Sequence, residues 1–350
     1  MLENIEINIK EDKEDKENIK ILGIETSCDE TAASVVINGR IVKSNVISSS
    51  SEYQSIFGGV VPEVASRKHI ENIGKVVDKS LKDAKITLKE INAIAVTNSP
   101  GLIGSLLVGL NFAKALSYAS NIPFIAVNHL HGHISSCYLE SNIKPPFMCL
   151  IVSGGHTLLV HVKDYLKNEI LGTTTDDAVG EAYDKIARIL DLPYPGGPKL
   201  DNLASIGKKN IDFPMSFAND GLNFSYSGLK SSVINYINTQ KMKNSEIIKE
   251  DIAASFQKAA IDILIIKIKR ALENTKLNTV AICGGVACNS YLRYSVSKLA
   301  KEENVNIHIP KTIYCTDNGA MIASAGFYKF LNKEFSDLAT NAYSTNPHII

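Results

Sequence analysis

The chain has 350 residues, 45% of them hydrophobic and 21% charged, with a mean hydropathy near zero. That balance excludes a disordered, collagen-like or disulfide-scaffold protein, and at about 100–200 residues per domain it accommodates two domains. Lys plus Arg (37) equals Asp plus Glu (37), so contact with a polyanion must rest on a local patch or on a partner.

The chain order begins with a charged tail. Residues 1–18 include eight consecutive charges from Lys10 to Glu17 and read as solvated, so folding starts at Ile19. Strands are expected at 20–25, 33–37 and 41–48, joined by turns carrying Asp29-Glu30 and Asn38-Gly39. Val64, Ile70, Ile73, Val76, Val77 and Leu81 recur at near-helical spacing and predict a helix over 62–84. A buried strand at 91–97 runs into Asn98-Ser99-Pro100-Gly101, then a helix over 103–120, a strand at 123–127 and a helix opening near Asn128. A strand at 147–152 leads into Ser153-Gly154-Gly155-His156 and another strand at 157–162. A helix over 178–191, a Pro/Gly-rich loop at 193–198, loop-rich chain at 207–228 and long helices over 228–238 and 246–274 follow. The order closes with a strand at 279–283, Gly284-Gly285, a helix from Asn289, a strand at 306–309 and a helix over 317–331.

Residues 91–127 and 278–309 share the order strand, glycine turn, helix, strand, and the hairpins at 20–48 and 147–164 correspond. The chain therefore reads as a duplicated α/β unit, with lobes at 19–146 and 147–350, the second carrying a helical insertion. Ligands in such folds bind at strand carboxyl ends, where the glycine turns lie. No apolar run reaches the ~18 residues of a membrane helix, and the N-terminus lacks the apolar segment of a signal peptide. Cys28, Cys137, Cys149, Cys283, Cys288 and Cys315 form no C-x-x-C pair and read as reduced core thiols of a cytoplasmic protein.

The sharpest motif is His129-Leu130-His131-Gly132-His133. His129 and His133 share a helix face at i, i+4 and can grip one divalent metal, while His131 points elsewhere. A third ligand must come from another segment, and Asp317 is a candidate because it opens a helix after a strand. A polar helix start and an N-cap are the plainer alternatives. Leu130 follows His129, so the H-E-x-x-H of a metallopeptidase is missing. Ser153-Gly154-Gly155 breaks a buried strand and lets backbone N–H groups approach a phosphate or carboxylate, unless it is only a hairpin turn. Gly284-Gly285 ahead of a helix is an anion or nucleotide cradle, though neither G-x-G-x-x-G nor a P-loop is present. Residues 25–31 are polar between two apolar strands; Asp29 and Glu30 there can serve a metal-bound phosphate, orient a nucleophile or form a solvated turn. Asp176, Asp177, Glu181 and Asp184 crowd a helix start, where acids also complement the dipole. The adjacent stretch 194–201 suits close approach to a ribose.

In order, the runs ILGIETSCDETAASVV, SPGLIGSLLVGL, NHLHGH, LIVSGGHT, DDAVGEAYDK, PGGPKLD, FSYSGLK, CGGVACN and CTDNGAMIA resemble those of the TsaD family of tRNA N6-adenosine threonylcarbamoyltransferases, formerly called glycoproteases. The resemblance runs from about Ile19 to about Leu331 and gives the tail no role. It implies the duplicated actin/hexokinase/Hsp70-like (ASKHA) α/β fold. It also implies transfer of a threonylcarbamoyl group from threonylcarbamoyl-AMP to N6 of the adenosine 3′ of the anticodon in tRNAs reading ANN codons, with AMP leaving. By the same resemblance His129, His133 and Asp317 bind one metal, Fe(II) or alternatively Zn(II). Ile151, Val152, Ser153, Gly154, Gly155, Asp184, Gly197, Asp201 and Asn289 hold the adenylate, and Asp29 and Glu30 match an acidic phosphate motif and are the candidate general bases. The implied partners are the inert paralogue TsaB, the ATPase TsaE and a TsaC-type enzyme that makes the adenylate. An amphipathic helix in the N-terminal half is expected to carry the TsaB interface. A metallopeptidase, a small-molecule kinase of the same fold and an inert paralogue are the rival readings.

Overall fold

A computed structural model describes residues 18–215 and 221–345, so all of the expected tail except Asn18 lies outside the described residues. The first lobe runs β1 (Lys20–Glu25), β2 (Glu30–Ile37), β3 (Ile41–Ser49), α1 (Ser51–Ser55), α2 (Pro62–Ala84), β4 (Ala93–Ser99), α3 (Ile103–Ser120), β5 (Phe124–Asn128) and α4 (His129–Ser136). The second runs β6 (Phe147–Val152), β7 (Thr157–Asp164), β8 (Lys167–Thr173), α5 (Val179–Ile189), α6 (Gly196–Ala204), α7 (Ser227–Met242), α8 (Lys249–Thr275), β9 (Thr279–Cys283), α9 (Ser290–Glu303), β10 (Asn306–His308), α10 (Thr312–Cys315) and α11 (Gly319–Leu331).

The two sheets repeat one topology, β3-β2-β1-β4-β5 and β8-β7-β6-β9-β10. Each opens with an antiparallel meander and adds two parallel strands on the far side of its first strand. Asn38 and Gly39 both take positive φ in the turn closed by Arg40 N donating to Ile37 O (3.1 Å), which brings Ile37 opposite Ile41 as the last pair of β2 and β3. The duplicated architecture read from the sequence is therefore present.

Alternation along the central strands explains their near-continuous apolar runs. Ile21 faces the space between the two sheets, whereas Leu22 and Ile24 face α2 and α3. In β6, Cys149 and Ile151 face the same intersheet space, whereas Met148, Leu150 and Val152 join the core under α5 to α9. Strands buried on both faces lose the period-2 signal and read as solid hydrophobic runs. Two helices, α4 and α11, fill the middle layer. To reach it the chain crosses back after the second sheet: a Cβ on Gly23 would overlap the backbone of Gly319, and one on Gly326 would press on Ala95. Missing side chains at those points let α11 lie directly on β1 and β4.

Three local readings differ. Stretch 193–198 was expected as loop, but α6 begins at Gly196. β8 was not foreseen, since KNEILGT is a mostly polar edge strand. Ile70, placed in the apolar stripe of α2, is 67% exposed. No helix among the described residues is long and apolar enough to cross a membrane.

Candidate metal centre and nucleotide cleft

The middle-layer helices bring three donors together. Asn128 caps α4, its Oδ1 accepting from Leu130 N (2.8 Å) and His131 N (3.2 Å), which starts the helix at His129 and stacks His133 one turn on. Their rings lie 4.7 Å apart, edge to face. Asn318 caps α11 by accepting from Met321 N at 2.9 Å, so Asp317, the residue before it, is free of that duty. Asp317 Oδ1 stands 3.5 Å from His129 Nε2 and 3.3 Å from His133 Nε2, and the ligand atoms of the three side chains all lie within 4.8 Å of one another.

His133 decides how this cluster is read. Its Nδ1 and Nε2 are both buried, and neither makes a hydrogen bond among the described residues. A buried imidazole whose one polar neighbour is a carboxylate 3.3 Å from Nε2, and whose Nδ1 has no partner, is expensive. Two imidazoles and a carboxylate converging on one point are a donor set for Fe(II) or Zn(II), and a cation there would take up the orphaned nitrogen. Burial works to lower the His129 pKa, but Asp317 and Glu25 carry it up to about 9. Burial likewise opposes ionisation of Asp317, yet His129 and His133 hold its carboxyl well below the usual range. Protons and a divalent cation therefore compete for the same atoms. His156, beside the cluster, is pushed down to about 4 by burial and by the two imidazoles.

A cleft of about 950 Å³ opens in front of these groups, at the carboxyl ends of both sheets. On the second lobe, Ser153 and His156 close a tight turn after β6 through Ser153 N to His156 O (2.9 Å) and His156 N to Ser153 Oγ (3.1 Å). Gly154 and Gly155 face the cleft, and no protein atom lies within 4 Å of where a Cβ would stand. Gly180, in the first turn of α5, supports the turn from behind, because a Cβ there would overlap Ser153 O. Asp184 also lines the cleft. Its Oδ1 accepts from Gly196 N (2.9 Å) and Gly197 N (3.2 Å); burial pushes the carboxyl up, and those two N–H groups offset only part of that.

The other residues that the resemblance assigns to the adenylate are not among those lining the cleft. Ile151 and Val152 are buried in β6 below the turn, and Gly197, in the first turn of α6, is half-buried with open space where a Cβ would stand. Asp201 accepts from Ser290 N (2.9 Å) and Ser290 Oγ (2.7 Å), and Asn289 caps α9 while donating to Gln257 Oε1 (2.9 Å), so both side chains hold the start of α9. On the opposite wall Asp29 and Glu30 line the cleft. Burial and the neighbouring Asp29 push Glu30 well above the carboxylate range. Two residues at the site had no role in the sequence reading. Glu25 lies directly behind His129 and was only one member of polar stretch 25–31; His156 was only the end of a glycine turn.

A TsaD family model, described as tRNA N6-adenosine threonylcarbamoyltransferase, matches residues 41–324. A curated protein with that name from Clostridioides difficile (strain 630) is 55% identical over 328 residues, covering 93% of this chain and 97% of its own length. One from Clostridium kluyveri is 54% identical over 329 residues, covering 93% and 96%. Among solved structures, component A of (R)-2-hydroxyglutaryl-CoA dehydratase from Acidaminococcus fermentans aligns with 90% of this chain and 99% of its own, at TM-score 0.55 and 17% identity. HypF from T. kodakarensis aligns with 91% of this chain and 48% of its own, at TM-score 0.62 and 16% identity. Those two likenesses concern the fold alone, which is the duplicated actin/hexokinase/Hsp70-like architecture. Identity of 55% and 54% to two curated members extends over 93% of the chain, and the protein belongs to the family of tRNA N6-adenosine threonylcarbamoyltransferases.

Proposed function

We propose that the chain transfers a threonylcarbamoyl group from threonylcarbamoyl-AMP to N6 of the adenosine 3′ of the anticodon in tRNAs reading ANN codons. Identity of 55% to a curated transferase along 93% of the chain carries this reading. In the reaction the N6 amine attacks the carbamoyl carbon, a C–N bond forms, the C–O bond to phosphate breaks, and AMP departs with the electron pair. Fe(II), or alternatively Zn(II), held by His129, His133 and Asp317 supplies Lewis acidity and a template when bound. The orphaned His133 Nε2, facing Asp317, supports that assignment.

The chain's own groups bind and orient. Gly154 and Gly155 offer backbone N–H groups to the phosphate at the open end of β6. Asp184 has one oxygen engaged by Gly196 and Gly197 and presents the other to a ribose hydroxyl. Ile151, Val152, Gly197, Asp201 and Asn289 shape the adenylate wall from behind. Asp29 or Glu30, both lining the opposite wall of the cleft, accepts the amine proton. A neutral chain has little charge of its own for tRNA, so the work is shared with TsaB and TsaE, in the cytoplasm, on adenylate made by a TsaC-type enzyme. The exposed Ile70 and Leu107 on α2 and α3 flank an apolar groove over Ile73, Gly74, Val108 and Phe112, and that face is the TsaB surface.

Reconstitution with TsaB, TsaE, threonylcarbamoyl-AMP and unmodified tRNA is expected to yield threonylcarbamoyladenosine in the digested tRNA by mass spectrometry. Absence of that nucleoside, with all components active elsewhere, would remove the reading. His129→Ala and His133→Ala are each expected to lose both bound metal and activity while retaining the fold by circular dichroism. Full activity in a metal-free double variant would refute the metal's part.

A further inference from the structure

Behind His129 stands a carboxylate that the proposed reaction leaves unused. Glu25 ends β1 and is 0% exposed. Its Oε1 accepts from Ser27 N at 2.5 Å. Its Oε2 accepts from Thr97 Oγ1 at 2.5 Å and lies 3.1 Å from His129 Nδ1. Ser27 Oγ is also 3.1 Å from that nitrogen. β1 and β4 are parallel neighbours paired at Ile24 and Val96, so Glu25 and Thr97 emerge together at the carboxyl end of the first sheet. A charged side chain has no reason to be buried at the end of an apolar strand unless it is paired and hydrogen-bonded. Here both oxygens are pinned by donors from separate segments, which fixes the direction in which Oε2 faces the imidazole. The second imidazole of the cluster has no such support, because His133 Nδ1 is buried without a partner.

We propose that Glu25 is a positioning residue whose carboxylate accepts the Nδ1–H of His129 and so fixes the tautomer that leaves Nε2 bare toward Asp317. The inference rests on reading His129, His133 and Asp317 as a metal site. A carboxylate behind a ligating imidazole fixes the ring and makes its free nitrogen a better donor, and losing it weakens metal affinity by roughly 10–100-fold in comparable sites. Glu25 acts through His129 and touches neither metal nor substrate.

The test uses the full-length protein with Zn(II) as probe, titrated against a chromophoric chelator. Glu25→Gln, nearly the same size, is expected to weaken Zn(II) binding by about 10–100-fold, and Glu25→Asp to recover part of that loss. A purely structural Glu25 would instead lower the thermal midpoint and leave the Zn(II) affinity of Glu25→Gln at the wild-type value, which would overturn the proposal. A second measurement needs no variant. In the Zn(II)-loaded wild type, nitrogen-15 NMR of labelled histidines is expected to show His129 protonated at Nδ1, and ligation through Nδ1 would sink the idea even if Glu25→Gln fails to fold. If wild type and His133→Ala take up Zn(II) alike, the metal reading falls and this inference with it. If wild type binds Zn(II) and His133→Ala does not, an unaffected Glu25→Gln removes the role of Glu25 alone.

Discussion

At Asp184 one carboxyl serves two neighbours. It bonds the first two N–H groups of α6 and faces the cleft. Asp184→Ala removes both, and we expect AMP affinity in calorimetry to fall by about tenfold, the effect of one or two lost hydrogen bonds, with a smaller loss of stability. Unchanged affinity would take Asp184 out of the nucleotide wall. At this scale the sequence was legible where spacing speaks for itself: His129 and His133 share a face because a helix has 3.6 residues per turn, and they do meet. Asp317 was readable only as a helix opener, and an acid there is as natural a cap as a ligand. What separates the two is Asn318, which takes the cap and leaves Asp317 to face the imidazoles. Asp201 carries the opposite lesson, since it holds the start of α9 by accepting from Ser290, a bond that no spacing in the chain announces. Glu25 was hidden for the same reason: its partners are His129, 104 residues away, and Thr97, 72 away.

Among the elements, α6 shows how a helix hides in breaker residues. Gly196-Gly197-Pro198 looks like loop, but the first turn of a helix needs no intrahelical N–H partners and tolerates proline. Asp184 of α5 supplies the missing acceptor from outside. β8 was unreadable because an edge strand half in solvent has little apolar pattern to show. Helix α2 was legible to the residue, yet its buried stripe carries an unexpected polar member. His69 accepts from Thr31 Oγ1 at Nδ1 (2.8 Å) and donates from Nε2 to Cys28 O (2.9 Å), and burial holds it below its ordinary value of 6.5. The folded protein thus keeps His69 neutral where the unfolded chain takes a proton. Its contribution is complete above 6.5 and is lost as the pH falls toward the lowered folded value. We expect urea unfolding free energies to decline between about pH 7 and pH 5, and His69→Gln to be less stable at neutral pH but to show a flatter decline. An equally steep decline in the variant would assign the effect to other groups.

For the whole molecule, the repeated order of elements made the two sheets foreseeable, while the return of the last helix to the first lobe was not, because crossing is a tertiary event that leaves only small residues behind. The face of α2 and α3 that exposes Ile70 and Leu107 is the one proposed to meet TsaB. Ile70→Glu on that face is expected to prevent a stable complex with TsaB in gel filtration while AMP binding stays at the wild-type level. Co-elution of the variant with TsaB would place the interface elsewhere. The crossing of α11 also orders events during synthesis. Residues 20–128 build a complete sheet early, but the carboxylate at 317 and the helix that seals the sheet's inner face emerge only after the whole second sheet has been made. A nascent chain on the ribosome therefore carries a pair of histidines waiting, with their apolar floor uncovered, for the helix beyond the second sheet to arrive.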